Sequence, residues 1–303
     1  MSFAGANAGA FSDMISGPSA PATPPTGIRV YLDQITYPNT KGYSGVTWPD
    51  ITAEYGSPAH ALVSIRPDIG MLNAGDFDAD LYAFMQSAPA GHASLLTMWH
   101  ECATDSGQNP NYPTDAATFR SGLVHLQQLA AGEISGYPNS TDVKVGVIDI
   151  NPSYLGDDPG SVYARWMAAN LDWYGCDLYD NASLDLSVYD ELNAFRGYIN
   201  TLPGSVADAN WPVNLPECNS RVVSATVSTN TTTGPTGYRR SDFFHYAWAW
   251  LQTVGPVGNS SGLLGFWNGP GNEGSPYPPQ DSPAGSLAAM VAELNAENSQ
   301  SSP

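Results

Sequence analysis

From residue 28 onward, short apolar runs alternate with longer stretches in which apolar positions recur every three or four residues. The short runs lie at 28–35 (IRVYLDQI), 61–66 (ALVSIR), 94–101 (SLLTMWHE), 143–150 (VKVGVIDI), 173–179 (WYGCDLY), 213–217 (VNLPE) and 263–267 (LLGFW). Their length and β-branched or aromatic content predict strands. The longer stretches predict helices at 76–88, 115–134, 161–170, 185–201, 238–254 and 285–297. In the second of these, Phe119, Leu123, Leu126 and Ala130 share one helical face that can lie against a sheet.

Strands alternating with helices from residue 61 onward imply a parallel sheet wrapped in helices. Seven strands are evident, and a (β/α)₈ TIM barrel needs one more, expected as a short or irregular strand between residues 36 and 57. A doubly wound open sheet is the alternative fold. The G-x-G-x-x-G run at 269–274 (GPGNEG) leads into proline-rich sequence and opens no helix, and no G-x-x-x-x-G-K-S/T loop is present, so a nucleotide site has little to rest on and the barrel is preferred. A length of 303 residues suits one such domain, assigned to 27–303. Ahead of it, the stretch 17–27 (GPSAPATPPTG) reads as an extended linker that sets off residues 1–26 as an N-terminal arm. The arm is expected either as a loose terminus or as a segment that docks to a larger assembly.

Charge narrows the partners. With 29 acidic against 10 basic residues the net charge is -19, a field that repels phosphate backbones and excludes nucleic acid as the expected partner. No apolar run is long enough to span a bilayer, so membrane insertion is not expected. The first residues lack the basic and apolar regions of a secretory signal, so an extracellular or virion-associated setting is expected to be reached by another route or through a signal already removed. Cys102, Cys176 and Cys218 show no C-x-x-C spacing and are read as buried thiols, a Cys102–Cys218 bridge being the alternative. Asp76, Asp78 and Asp80 have the alternation of a calcium loop but lack its glycine and its closing glutamate, so they read as acids opening a helix. No histidine pair has metal-ligand spacing.

Candidate chemistry lies at the strand ends, because a barrel builds its site from the C-terminal rim. Glu101 closes the third run and Glu217 the sixth, separated by two intervening strands. Two positioned carboxyl groups are what glycosidic cleavage requires. Asp33 and Asp149, also on predicted strands, have no evident partner and are read as structural. Trp99, Trp173 and Trp211 are suited to stacking on sugar faces, whereas His245 and the tryptophans at 248 and 250 read as the packing face of a helix.

The order and spacing of TMWHE, WYGCDLYD, NLPECNS and GFWNG resemble the family 26 glycoside hydrolases, mannanase-like members of the retaining (β/α)₈ clan. The resemblance spans most of residues 28–270 and implies Glu101 as general acid/base with His100 orienting it or a sugar hydroxyl. It further implies Tyr179 as a hydrogen-bond donor to the nucleophile, Glu217 as that nucleophile, and Trp267 as the floor beneath the reacting sugar. Arg66, at a strand end, is a candidate to hold the nucleophile ionised. The family continues its His-Glu with Met-Asn-Gly, whereas here CATDSG follows, a departure that bears on the substrate. The function that the resemblance implies is a retaining hydrolase of a β-linked polysaccharide that needs no cofactor. The alternatives are a barrel that binds polysaccharide without cutting it, or a depolymerase or adhesin of a phage tail.

Overall fold

The computed structural model describes residues 2–4, 27–32, 45–53, 60–90, 94–102, 113–150, 159–180, 188–202, 213–214, 218–220, 247, 250 and 265–267. Its strands are β1 (Ser2–Ala4), β2 (Gly27–Tyr31), β3 (His60–Ile65), β4 (Ser94–Met98), β5 (Val143–Ile150), β6 (Trp173–Asp180), β7 (Val213–Asn214), β8 (Cys218–Ser220) and β9 (Gly265–Trp267). Every ladder between them is parallel. The order across the sheet is β7-β6-β5-β4-β3-β2-β1-β9, and β8 also pairs with β6, so β7 and β8 share one strand position.

The seven predicted strands are all present, with their ends moved by a few residues. The eighth position is filled by β1, which pairs with β2 on one side and β9 on the other. Residues 2–4, expected within the N-terminal arm, are therefore part of the sheet. In the interval expected to hold the extra strand, the described residues 45–53 form a turn and helix α1 (Trp48–Ala53) instead.

The helices α2 (Ile69–Ala74), α3 (Asp78–Gln86), α4 (Ala116–Ala131), α5 (Pro159–Trp166) and α6 (Val188–Ile199) follow the strands. Asp68 starts α2 by accepting from the Met71 amide, and Asp115 starts α4 by accepting from the Ala117 amide. Gly75 and Gly132 end these helices in the left-handed conformation. At Gly132 a Cβ would lie 2.7 Å from the Asn139 carbonyl carbon, so no other residue fits there without movement. Asp78 and Asp80 stand in the first turn of α3, as helix-opening acids should, and Asp78 also bonds His125 Nε2 at 2.7 Å. Of the helix predicted at 238–254, Ala247 and Trp250 are described: both are helical and buried, and Trp250 Nε1 donates to Asn193 Oδ1, in line with a packing face. The helix predicted at 285–297 lies outside the described residues.

Side-chain alternation explains how the sheet is used. One set of alternate positions (Val63, Ile65, Leu96, Met98, Val145, Val147, Tyr174, Cys176) packs against the helices in the main core, with Phe119, Leu123 and Leu126 of α4. The opposite set contributes a small separate cluster of Leu62, Ile148 and Trp173, flanked by Leu95. Two cores on the two faces of one parallel sheet are what a barrel produces, one inside the ring and one between ring and helices. Arg29 of β2 and Asp177 of β6 confirm the curl. Four strand steps separate them, about 19 Å in a flat sheet, yet Nη1 of Arg29 lies 3.1 Å from one carboxylate oxygen of Asp177 and 3.3 Å from the other. The sheet is a curled, barrel-type α/β sheet. Its two ends, β8 and β9, lie beside each other with no ladder between them among the described residues.

The sequence suggests Trp173 as a sugar platform at a strand end, and the structure corrects this. Trp173 begins β6, at the other end of the strand, and is 1% exposed. Its indole fills the interior above Gly146, with Nε1 donating to the Lys144 carbonyl. A Cβ on Gly146 would lie 2.2 and 2.4 Å from the indole ring atoms Cδ2 and Cε2. Gly146→Ala is therefore expected to lower stability by about 1–3 kcal/mol or more through overpacking. The Trp173 carbonyl oxygen would lie at 2.5 Å as well, and urea unfolding should show the loss as a lower midpoint for Gly146→Ala than for the parent.

Candidate active site

Because all strands run the same way, their C-terminal ends share one rim. Arg66 directly follows β3; Trp99, His100 and Glu101 directly follow β4. Tyr179 is the penultimate residue of β6, in register with Asn219, and Trp267 ends β9, in register with Ala4. Glu217 lies outside the described residues; Cys218, next in sequence, is in register with Leu178 of β6. The rim thus gathers Arg66, Trp99, His100, Glu101, Tyr179 and Trp267 on one side of the sheet. Trp211 lies outside the described residues, as does Asp33.

The best-defined part of this rim is the turn after β4. The Trp99 amide donates to the Ile65 carbonyl of β3, prolonging the ladder by one residue. Two residues later the Glu101 amide donates to the Ile148 carbonyl of β5. Between these bonds the chain must reverse its local twist, and Trp99 and Glu101 adopt φ of +45° and +58°. Left-handed backbone disfavours any side chain with a Cβ, most of all a bulky one, and costs on the order of 1–3 kcal/mol per residue. The turn is held in this form by its hydrogen bonds: the Cys102 thiol donates to the Trp99 carbonyl, and Trp99 Nε1 donates to the Pro67 carbonyl at 2.7 Å. Cys102 and Cys176 are buried thiols outside any disulfide, so the alternative Cys102–Cys218 bridge is not formed.

The side chains around this turn are arranged by charge. Trp99 is 6% exposed, and the Arg66 guanidinium sits over its ring, 5.5 Å from the centroid. Trp99 therefore supports Arg66 by a cation–π contact. Glu101 is half-buried, with Oε1 withdrawn from solvent. His100 is buried, and burial together with the positive charges of Arg29 and Arg66 holds its pKa well below the usual 6.5. The imidazole is neutral at pH 7, able to donate from one nitrogen and accept at the other.

This depression has a measurable consequence. Above pH 6.5 the histidine is neutral whether the chain is folded or unfolded; below it, the unfolded chain takes up a proton that the folded one refuses. Stability is expected to fall with acidification from about pH 6.5 downward, by up to about 1.4 kcal/mol per pH unit, until the folded-state pKa is reached. Urea midpoints between pH 7.5 and 5.5 should show this slope in the parent and a shallower one in His100→Gln.

Sequence reasoning missed the Arg29–Asp177 pair, both residues 0% exposed within the ring. A signal was available: each is a charged residue within an apolar run, Arg29 between Ile28 and Val30 and Asp177 between Cys176 and Leu178. Asp149, read as structural, is 1% exposed and faces the helices, with Oδ1 accepting from the Ile150 amide.

Fold and rim together define an α/β protein of the barrel type with a strained His-Glu turn at the C-terminal end of its fourth strand position. No family model matches the sequence, and no curated protein matches it. Among solved structures the chain is similar to a fungal β-1,4-galactanase, at 13% identity over 88% of this chain and 87% of that chain, TM-score 0.48. It is also similar to a family 113 β-1,4-mannanase (8% identity, 100% and 98% covered, TM-score 0.45). A third is a family 26 β-mannanase from Bacteroides ovatus (9% identity, 90% and 78% covered, TM-score 0.40). These structures come from several glycoside hydrolase families, so family 26 is not singled out.

Proposed function

We propose that this chain is a retaining glycoside hydrolase acting on a β-linked polysaccharide, with Glu101 as general acid/base and Glu217 as nucleophile. The observation that carries the reading is the strained turn at Trp99 and Glu101, which sets a partly buried carboxyl beside a neutral imidazole at the rim where barrel proteins do their chemistry. Strained non-glycine backbone at that rim, held by one hydrogen bond within the turn and three to the ends of β3 and β5, is costly to keep for packing alone. The rim positions of Tyr179, of Trp267 and of Cys218 after Glu217 support the second half of the site.

In this mechanism Glu217 attacks the anomeric carbon while Glu101 gives its proton to the departing glycosidic oxygen. Glu101 then takes a proton from water, which displaces Glu217 and releases the sugar with its configuration retained. His100, neutral, orients Glu101 or a sugar hydroxyl without adding charge. Arg66, held on Trp99, and Tyr179 keep Glu217 ionised. Trp267 forms the apolar floor under the reacting ring.

The test is a panel of soluble polysaccharides (galactomannan, β-1,4-galactan and β-1,3-glucan) incubated with the full chain, reading new reducing ends and the anomer first released by NMR. Release of the β-anomer from a β-linked polymer is the expected result. Initial release of the α-anomer would overturn the double-displacement assignment.

A further inference from the structure

Outside the rim, the described residues line an open groove of about 730 Å³ on the helical shell. It is bordered by Arg120 and Val124 of α4, Met167 and Asn170 in the α5–β6 connection, and Tyr198 and Thr201 at the end of α6. The groove exists because α5 spans eight residues where α4 spans sixteen, so the two longer helices flank a gap beyond its end. All of these groups stand on the helical shell, outside the rim that carries Glu101.

Four properties suit it to a hydroxyl-rich ligand. Its volume falls within the roughly 300–1,000 Å³ of small-ligand sites. None of the described residues that line it is acidic, in a chain with 29 acidic residues. A tyrosine edge and two apolar side chains meet polar groups from three different elements, the pattern that orients a ligand with both apolar faces and hydroxyls. Tyr198 is also braced, its ring 5.3 Å from that of Tyr163, and Val124 is one of two large hydrophobic side chains that stand exposed among the described residues. Asn170, at φ +60°, holds the left-handed conformation that shapes the connection.

We propose that this groove is a secondary glycan-binding site, in which Tyr198 stacks on a sugar ring and Arg120, Asn170 and Thr201 bond its hydroxyls, holding the polymer to the enzyme away from the point of cleavage. The inference rests on the chain being active on glycans, and its test separates the two claims. Affinity electrophoresis of full-length Glu101→Gln through gels containing galactomannan, β-1,4-galactan or β-1,3-glucan reads binding without turnover. Retardation by at least one polymer is expected, weakened fivefold or more when Tyr198→Ala or Arg120→Ala is added. In the otherwise unaltered chain the same two substitutions should leave turnover of a small aryl β-glycoside within twofold. Tyr198→Leu, which keeps apolar volume behind Tyr163, serves should Tyr198→Ala fail to fold. Equal retardation of parent and groove variants, or none in any gel, overturns the site; so does a groove substitution that changes sedimentation behaviour and not retardation, which would assign the surface to a protein contact. Retardation with the expected losses in a chain that cleaves no glycan would retain the site and discard the hydrolase.

Discussion

Glu101→Gln is expected to slow cleavage of the polysaccharide by roughly 10²–10⁴-fold, the usual contribution of a positioned general acid. The loss should depend on the leaving group. An aryl glycoside whose phenolate departs without a proton needs no acid in the first step, so Glu217 would still form the glycosyl-enzyme. The second step needs Glu101 as base, and a burst of phenolate followed by slow turnover is therefore the expected trace. Azide, which needs no deprotonation, should restore turnover in Glu101→Ala and yield a glycosyl azide of retained configuration. Glu217→Ala should lose activity more completely, and azide added there should enter directly in place of the carboxylate and give the inverted product. Two variants that yield azides of opposite configuration identify both roles by one measurement. Undiminished polysaccharide cleavage by either variant would end the assignment.

Much of this architecture can be read from the chain because strands buried on both faces are continuous apolar runs, and those at 143–150 and 173–180 stand out from any register. Short elements are different. The three residues of β1 carry no periodicity, and their place in the sheet comes from ladders to β2 and β9 that only the folded chain supplies. The six-residue α2 is defined by its caps, Asp68 and Gly75, more than by any apolar stripe. At the rim, the residue types at 99–101 are legible, while the left-handed turn that presents them is not, since no glycine or asparagine marks it. Trp173 shows the converse error: an aromatic on a strand suggests a role by its type, whereas its place at the start of β6 and the glycine opposite it on β5 decide that role. Glycine within a strand was the available signal for that close packing.

The largest loss of stability is expected from breaking the Arg29–Asp177 pair. Both side chains are fully withdrawn from water, so removing one partner leaves the other charged in the interior of the ring, and Arg29→Met or Asp177→Leu alone should cost about 3–5 kcal/mol. Replacing both by apolar residues removes the desolvation cost with the attraction, and the double variant Arg29→Met/Asp177→Leu should recover most of the loss. Urea denaturation of the four proteins gives the coupling directly. Asp177 is two residues before Tyr179 on β6, and the charge of Arg29 helps to keep His100 neutral. The double variant should thus fold, yet its His100 should titrate closer to the ordinary histidine value, because one of the two positive charges that oppose its protonation is gone. An NMR titration that left His100 unmoved would show that burial and Arg66 suffice, and would make the buried pair a strut of the ring with no electrostatic hold on the rim above it.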